Sequence, residues 1–387
     1  MEEQQKQVID LVQKDAVGSL LDKDKDVLSG TLLMGTGTGK TKVAIDTIKA
    51  LGKYLEGTPR VLWVTPTERL RDVDAPAEFD KWKAKDEKEN TTFICYSSLT
   101  KLRGEEFDLC IFDECHHITE NNIQFIFNND IKRLVCVTAT FPEDEVKAEL
   151  IQRLAPIRFT YSIEDAIDDE IVKKVNIHVC YTSLEDETKD IEVKTKDHHF
   201  WTTEKRQYEY YTKEVEKYKH VYFSDPTEKK KQLWFGKIGR RSNFIYNLPS
   251  KIRAAKKFLL TLPDDEPVLV YGKRIDAINQ LDMGTFHSKK KDSSDLDAFC
   301  SGESKRLAVV DGLNEGANLP HLKTIVVMSL DSKKLNLTQR VGRAVRKDGD
   351  QEANVYIFVS KGTQDEVWFR KAIQAFQRTT INYFNIQ

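Results

Sequence analysis

Gly35-Thr36-Gly37-Thr38-Gly39-Lys40-Thr41 sets glycines ahead of a lysine and a threonine, directly after the apolar run Thr31-Leu32-Leu33-Met34. A loop of this kind wraps a phosphate with backbone N–H groups, and a helix opening behind it adds positive potential. Gly35, Gly37, Thr38 and Gly39 would then line the phosphates, Lys40 would neutralise the β/γ oxygens, and the Thr41 hydroxyl would ligate Mg2+. The general pattern asks for glycine at position 34, where this chain has Met34; Gly37-x-Gly39-Lys40-Thr41 is intact. Farther on, Asp113 and Glu114 end the apolar run Leu109–Phe112. Asp113 would hold Mg2+ through water, and Glu114 would orient and deprotonate an attacking water. Phosphoryl transfer needs such positioning and charge neutralisation more than covalent chemistry. Adjacent carboxylates at a strand end also cap helices, but the lysine-bearing loop upstream favours the catalytic reading. Cys115-His116-His117 lacks metal-ligand spacing; one of its histidines would touch the γ-phosphate region or link to the next segment.

These residues need a frame that brings them together. The first third alternates apolar runs with polar helical stretches: 31–34, a helix from Lys40 to about Leu51, 61–64, 93–96, 109–112 and 134–137. Continuous apolar strands separated by helices imply a buried parallel sheet. Ligands bind such sheets at the carboxyl ends of the strands, where each of these motifs falls. From about Tyr161 to Leu248 charge rises and β runs thin out. Tyr208, Tyr211, Val215, Tyr218 and Tyr222 fall at helical spacing and predict a long amphipathic helix, with that stripe packed inward or, alternatively, forming an aromatic platform for bases. The last third alternates again, with strands at 268–271, 306–310, 324–328 and 355–359 and helices at 251–260, 294–301 and 335–346.

The chain has 387 residues, which predicts two or three domains. Net charge is −2, so a nucleic-acid site would be a local basic groove on a mixed surface. Cys95, Cys110, Cys115, Cys136, Cys180 and Cys300 form no C-x-x-C pair, which argues for buried small side chains and against a zinc or redox motif. No signal peptide opens the chain, and no apolar run approaches the ~18 residues of a membrane span. The expectation is a soluble, intracellular protein with no membrane partner.

With its motifs in this order, the chain resembles superfamily 2 helicases and translocases whose second motif reads Asp-Glu-x-His, here Asp113-Glu114-Cys115-His116. The resemblance covers nearly the whole sequence. It implies an α/β fold of two RecA-like parallel-sheet domains in tandem, at about 1–160 and 249–387, with a mainly helical, charged insertion at 161–248. It implies ATP and Mg2+ as cofactors, ATP in the cleft between the domains, and nucleic acid as partner. Gln5 looks like the glutamine that reads adenine. Thr65-Pro66-Thr67-Glu68-Arg69-Leu70 resembles a segment that contacts the nucleic-acid backbone through Thr65, Pro66, Thr67 and Arg69; Ser97 lies in a further strand-end segment. Thr138-Ala139-Thr140 resembles the motif linking ATP state to the other domain, and Thr138 and Thr140 join the expected nucleic-acid contacts. Residues 311–320 resemble the fifth motif, with Asn314 and Glu315 toward nucleic acid and Gly316 toward nucleotide; Asn318 stands where the family often has aspartate. Gln339-Arg340-Val341-Gly342-Arg343-Ala344-Val345-Arg346 resembles the sixth. There Gln339 is catalytic, Arg343 and Arg346 are fingers toward the γ-phosphate, and Arg340 joins His116 in coupling. Arginine fingers are worth roughly 10³–10⁵ in rate.

Motif wording favours DNA over RNA. Classical DEAD-box RNA helicases carry Asp-Glu-Ala-Asp and a histidine opening motif VI, and this chain has neither. Lys229-Lys230-Lys231, Trp234-Phe235, Lys237 and Arg240-Arg241 form the most basic stretch, interleaved with aromatics. Lys237, Arg240 and Arg241 would pair with phosphates, as would His287 at the mouth of the second domain. The alternatives are a helix face whose aromatics pack inward, a translocase that drives a separate nuclease or remodels a protein, an RNA helicase, and a nucleotide-gated binder without turnover. A monomer is compatible with the sequence. Its size points to a phage, virus or mobile-element source.

Overall fold

The computed structural model describes residues 2–142, 144–194, 198–290, 292–310, 319, 322–331, 334–344, 352–376 and 378–386. Two compact units divide between Lys174 and Val175, and each is built on one parallel sheet.

The first sheet runs Thr91–Cys95, Val61–Thr65, Leu109–Asp113, Leu134–Thr138, Gly30–Met34, Ile157–Tyr161, each neighbour parallel. Its inner strands are apolar on both faces because both faces are covered: Leu32, Trp63, Ile111 and Val135 on one face and Leu62, Cys110 and Phe112 on the other have no exposed surface. The helix Lys40–Leu55 covers one face through Val43, Ala44, Ile48 and Leu51. The helix Glu2–Ser19 adds Ala16 to the same core, and Leu20 joins it from the turn that follows. The Ile157–Tyr161 strand went unforeseen because it is an edge strand. Ile157, Arg158 and Thr160 are exposed, so the sequence carries no apolar run there.

The second sheet runs Gly284–Phe286, Arg306–Val310, Val268–Gly272, Thr324–Val327, Ala353–Ser360, Val175–Thr182, Ile381–Asn385, again wholly parallel. This corrects the expected boundaries at 160 and 249. Residues 161–174 belong to the first unit, and Val175–Thr182 is a strand of the second. Val175, Ile177 and Val179 are buried, while His178 on the opposite face stacks on Tyr356 with ring centroids 4.6 Å apart. One polar residue between each pair of apolar ones hid a strand that pairs on both edges.

The expected insertion is helical only in part: among the described residues its helices are Ile163–Asp168, which belongs to the first unit, and Glu204–Ser224 and Glu228–Tyr246 in the second. After the short hairpin Ile191–Lys194/His199–Thr202, the helices Glu204–Ser224 and Glu228–Tyr246 pack on each other. The tyrosine stripe is real, but much of it faces the second helix. Tyr211 meets Phe244 at 5.4 Å, Tyr222 stacks on Trp234 at 5.6 Å, and Lys237 lies over Tyr218 at 4.5 Å. Tyr208 reaches the sheet unit, where its hydroxyl accepts from the Gln364 amide at 2.9 Å.

Candidate active site

Leu109–Asp113, Leu134–Thr138 and Gly30–Met34 are consecutive neighbours in a parallel sheet, so their carboxyl ends share one edge. That edge gathers the glycine loop, Asp113-Glu114 and Thr138. Within the loop, Gly37 and Gly39 take φ of +88° and +87°, a region that strains any residue with a Cβ. A Cβ on Gly35 would also come within 2.9 Å of the Ile163 backbone. The Thr38 hydroxyl folds back onto the Gly35 carbonyl at 2.7 Å. The helix then starts at Lys40 with Gly39 as its cap.

Lys40 Nζ lies 3.2 Å from Glu114 Oε1, both side chains mostly buried. Glu114 Oε2 lies 3.4 Å from His116 Nδ1 and accepts from the Thr138 hydroxyl at 3.2 Å. The same hydroxyl is 3.1 Å from His116 Nδ1 and 3.0 Å from the Thr140 carbonyl. Carrying one proton, it can serve one acceptor at a time and so links the Asp-Glu-Cys-His segment to 138–140. Glu114 holds φ +51°, which turns its side chain out of the strand path toward Lys40. Burial pushes the Glu114 carboxyl pKa up, but the Lys40 charge and the His116 hydrogen bond outweigh it, and the group sits well below the usual carboxylate range.

This has a checkable consequence. In the intact protein Glu114 binds its proton more weakly than in the unfolded chain, so the pairing stabilises the fold fully at neutral pH. That contribution is lost as pH falls below the unfolded value of about 4.3. In Lys40→Met, burial remains and the main opposing charge is gone. The Glu114 titration midpoint is then expected to rise above its wild-type value, with the pairing's stabilisation at neutral pH removed. Carboxyl 13C NMR titration reads it; an unchanged midpoint would show that Lys40 does not set it.

Around this cluster, Tyr96 donates its hydroxyl to the Asp113 carbonyl at 2.9 Å, and Asn122 donates to the Tyr96 carbonyl at 2.8 Å. Lys147 Nζ donates to the His116 carbonyl. Gln13 was missed by the sequence reading. Its amide donates to the Thr38 carbonyl at 3.1 Å, and a Cβ on Gly39 would sit 2.2 Å from its Nε2. The available signal was a glutamine on the buried face of the first helix, in line with Ala16 and Leu20. Gln5 instead donates to Glu170 Oε2 at 3.3 Å, eight residues and about 12 Å of helix rise from Gln13.

Several expected nucleic-acid contacts are spent inside the protein. Thr65 has no exposed surface, and its hydroxyl holds the Thr67 carbonyl at 3.2 Å. Thr138 is equally buried and serves the carboxylate cluster. Thr67, Arg69 and Ser97 are exposed, Arg69 beside Asp74 at 3.5 Å, while Pro66 and Thr140 are half-buried. In the second unit, Lys237 Nζ bonds Glu214, Arg241 bonds Gln364 Oε1 at 3.0 Å, and Arg240 is exposed. His287 is half-buried, and its carbonyl accepts the Lys290 amide at 2.9 Å. Arg340, expected to couple, is 1% exposed; it donates to the Ser329 carbonyl at 2.9 Å and lies over the Tyr271 ring at 5.0 Å. Its guanidinium belongs to the core of the second unit. Gln339 is also buried in the helix Lys334–Ala344. The Arg343 side chain, Arg346, Asn314, Glu315 and Gly316 lie outside the described residues.

Among the described residues, no three His, Cys, Asp or Glu side chains converge as a self-sufficient metal cage. The oxygen donors Thr41 and Asp113 suit Mg2+, which takes one or two protein oxygens and completes its shell with water and phosphate. All the cysteines are free, and five of the six are buried. Among the described residues no helix is long and apolar enough to cross a membrane.

This parallel-sheet architecture, with a lysine-bearing loop and a carboxylate pair at the strand ends, matches tandem RecA-like domains, and its likenesses to known proteins support a superfamily 2 helicase or translocase. Residues 1–143 match the family model described as "Type III restriction enzyme, res subunit". The DNA 3'-5' translocase XPB2 of Sulfurisphaera tokodaii is 25% identical over 372 residues, covering 87% of this chain and 79% of that protein. An HsdR-subunit fragment of a type I restriction enzyme from Vibrio vulnificus YJ016 shares the fold with a TM-score of 0.62 at 16% identity, over 98% of this chain and 68% of that one. Dbp5 of S. cerevisiae bound to RNA and ADP BeF3 does so at 0.58 and 12%, over 97% and 89%. The DNA-bound Type ISP restriction-modification enzyme LlaBIII gives 0.56 and 14% over 97% of this chain, which spans only 31% of that enzyme.

Proposed function

We propose that this chain is a nucleic-acid-dependent ATPase that translocates on DNA. The observation that carries the reading is the Lys40–Glu114–His116–Thr138 cluster at the strand ends. Its likeness to a DNA translocase over 87% of the chain supports it. The triphosphate of ATP competes with Glu114 for Lys40. Once Lys40 turns to phosphate oxygens, Glu114 loses the charge that most depresses its proton affinity, and it becomes a stronger base for the attacking water. Thr41 and Asp113 would hold Mg2+, which would supply neutralisation of phosphate charge. The Thr138 hydroxyl bridging Glu114, His116 and the Thr140 carbonyl relays that change to 138–140.

Steady-state ATP hydrolysis tests the reading, with no nucleic acid, single-stranded DNA, duplex DNA, a forked junction and RNA in parallel. Stimulation by DNA and little by RNA is expected. Stimulation by RNA alone would move the substrate to RNA, and turnover indifferent to every nucleic acid would sink the motor.

A second reading, a DNA pump that drives a separate nuclease without parting strands, is favoured by the restriction-subunit family match over 1–143. A triplex-displacement assay that responds while strand displacement stays silent selects it.

A further inference from the structure

The helices Glu204–Ser224 and Glu228–Tyr246 form a hairpin whose two ends differ in kind. Its base is clamped to the second unit. Glu204 is fully buried and accepts from the Glu185 amide at 3.0 Å and from Ser250 N and Oγ at 2.6 Å each. Tyr208 and Arg241 both bond Gln364, and Tyr246 stacks on Trp368 at 5.4 Å. A buried carboxylate with three donors and a stacked aromatic pair hold the hairpin as a rigid arm on the sheet unit.

The far end exposes what cores usually hide. Phe223 is 62% exposed, Phe235 51%, Leu233 47% and Val221 37%. Tyr222, Phe223, Trp234 and Phe235 form a continuous ring cluster with neighbouring centroids 5.2–5.7 Å apart. The Trp234 indole N–H is buried without an acceptor. The turn between the helices is fixed: Thr227 caps the second helix by accepting the Lys230 amide at 3.3 Å, and Lys230 pairs with Asp225. Residues 216–235 hold five lysines against three carboxylates, a local +2 on a chain of net −2. Lys231 lies over the Phe235 ring at 6.0 Å. An apolar cluster this exposed marks a binding surface. Its rings and surrounding lysines fit one partner chemistry best, a strand that offers flat bases and phosphates together.

We propose that this tip is a base-stacking contact for single-stranded nucleic acid. Phe223 and Phe235 take the bases, and the exposed Lys217 and Lys229 take the phosphates. The assignment rests on the nucleic-acid motor reading. It moves the contact from Lys237 and Arg241, which are spent on Glu214 and Gln364, to the end of the arm.

The test uses the full chain and two short single-stranded DNAs of equal length, one with bases and one abasic. Phe223→Ala/Phe235→Ala is expected to weaken binding to the base-bearing strand on the order of tenfold or more and to leave abasic binding unchanged. The salt dependence should not move, because no phosphate contact is lost. Phe223→Leu/Phe235→Leu, which keeps apolar area without rings, should lose nearly as much. ATP turnover without nucleic acid and the unfolding midpoint should match wild type. Equal losses on both strands, full rescue by leucine, or no loss would overturn base stacking, with leucine rescue pointing to an apolar protein surface instead. Wild type that binds neither strand would overturn this contact, while ATP turnover stimulated by duplex DNA would keep the motor reading and turnover indifferent to every nucleic acid would remove it too.

Discussion

Glu114→Gln is expected to lower nucleic-acid-stimulated ATP turnover by roughly 10²–10⁴-fold, the range for removing a positioned general base. Glutamine keeps the shape of the side chain and its contact with the Thr138 hydroxyl, but it cannot take a proton from water. It also releases Lys40 from its 3.2 Å ion pair. ATP affinity should therefore hold or improve, and the loss should fall on kcat. Turnover and fluorescent-nucleotide binding on the same preparation separate the two. Activity within a few-fold of wild type would remove Glu114 from the chemistry and return the Asp113-Glu114 pair to a structural role at the strand end. The substitution also serves as the control for contaminating ATPase.

The second large effect is on stability. Lys251 and Asp365, 1% and 0% exposed, form an ion pair that ties the helix Pro249–Leu259 to the helix Gln364–Ala372. Asp365 Oδ2 also accepts the Ser360 amide at 3.1 Å. Lys251→Met fills most of the same volume but strands a buried carboxylate, which costs about 3–5 kcal/mol. At about 2–4 °C per kcal/mol for a unit of this size, the second unit should melt roughly 6–20 °C lower. Replacing both partners, Lys251→Met with Asp365→Leu, should recover part of that, since no unpaired charge remains; the Ser360 contact stays lost. Calorimetry decides it. A single-variant shift under about 2 °C would mean that water reaches the pair. Because Gln364, next to Asp365, donates its amide to Tyr208 and accepts from Arg241, loosening this helix should free the base of the helical hairpin as well.

The cluster at the strand ends of the first sheet was legible because its parts are local. A glycine loop, its lysine and the carboxylates at a strand end are short segments whose types and order state their use. The strands at 30–34, 61–65, 109–113 and 134–138 carry them on apolar runs that only a doubly covered sheet explains. Hidden strands were those without such runs, Ile157–Tyr161 at an edge and Val175–Thr182 with its alternating polar face. Gln13 stayed hidden because a glutamine in a helix looks like surface until its neighbours at 16 and 20 are seen to be buried.

Outward contacts were the least legible, because a lysine or arginine reads the same whether it meets solvent, a phosphate or a carboxylate of its own chain. Lys237, Arg241 and Arg340 looked available in sequence. Folding gave them Glu214, Gln364 and the Ser329 carbonyl, 23, 123 and 11 residues away along the chain. The sequence by itself determined the reaction class and the sheet that bears it, since covalent neighbours and hydrophobic period suffice for both. Tertiary structure alone decided where the charges are spent, that Glu114 is held ionised by Lys40, and that the aromatic-basic stretch ends as an exposed tip on a clamped arm. These depend on pairings through space, and electrostatics and burial act over ångströms whatever the separation in sequence.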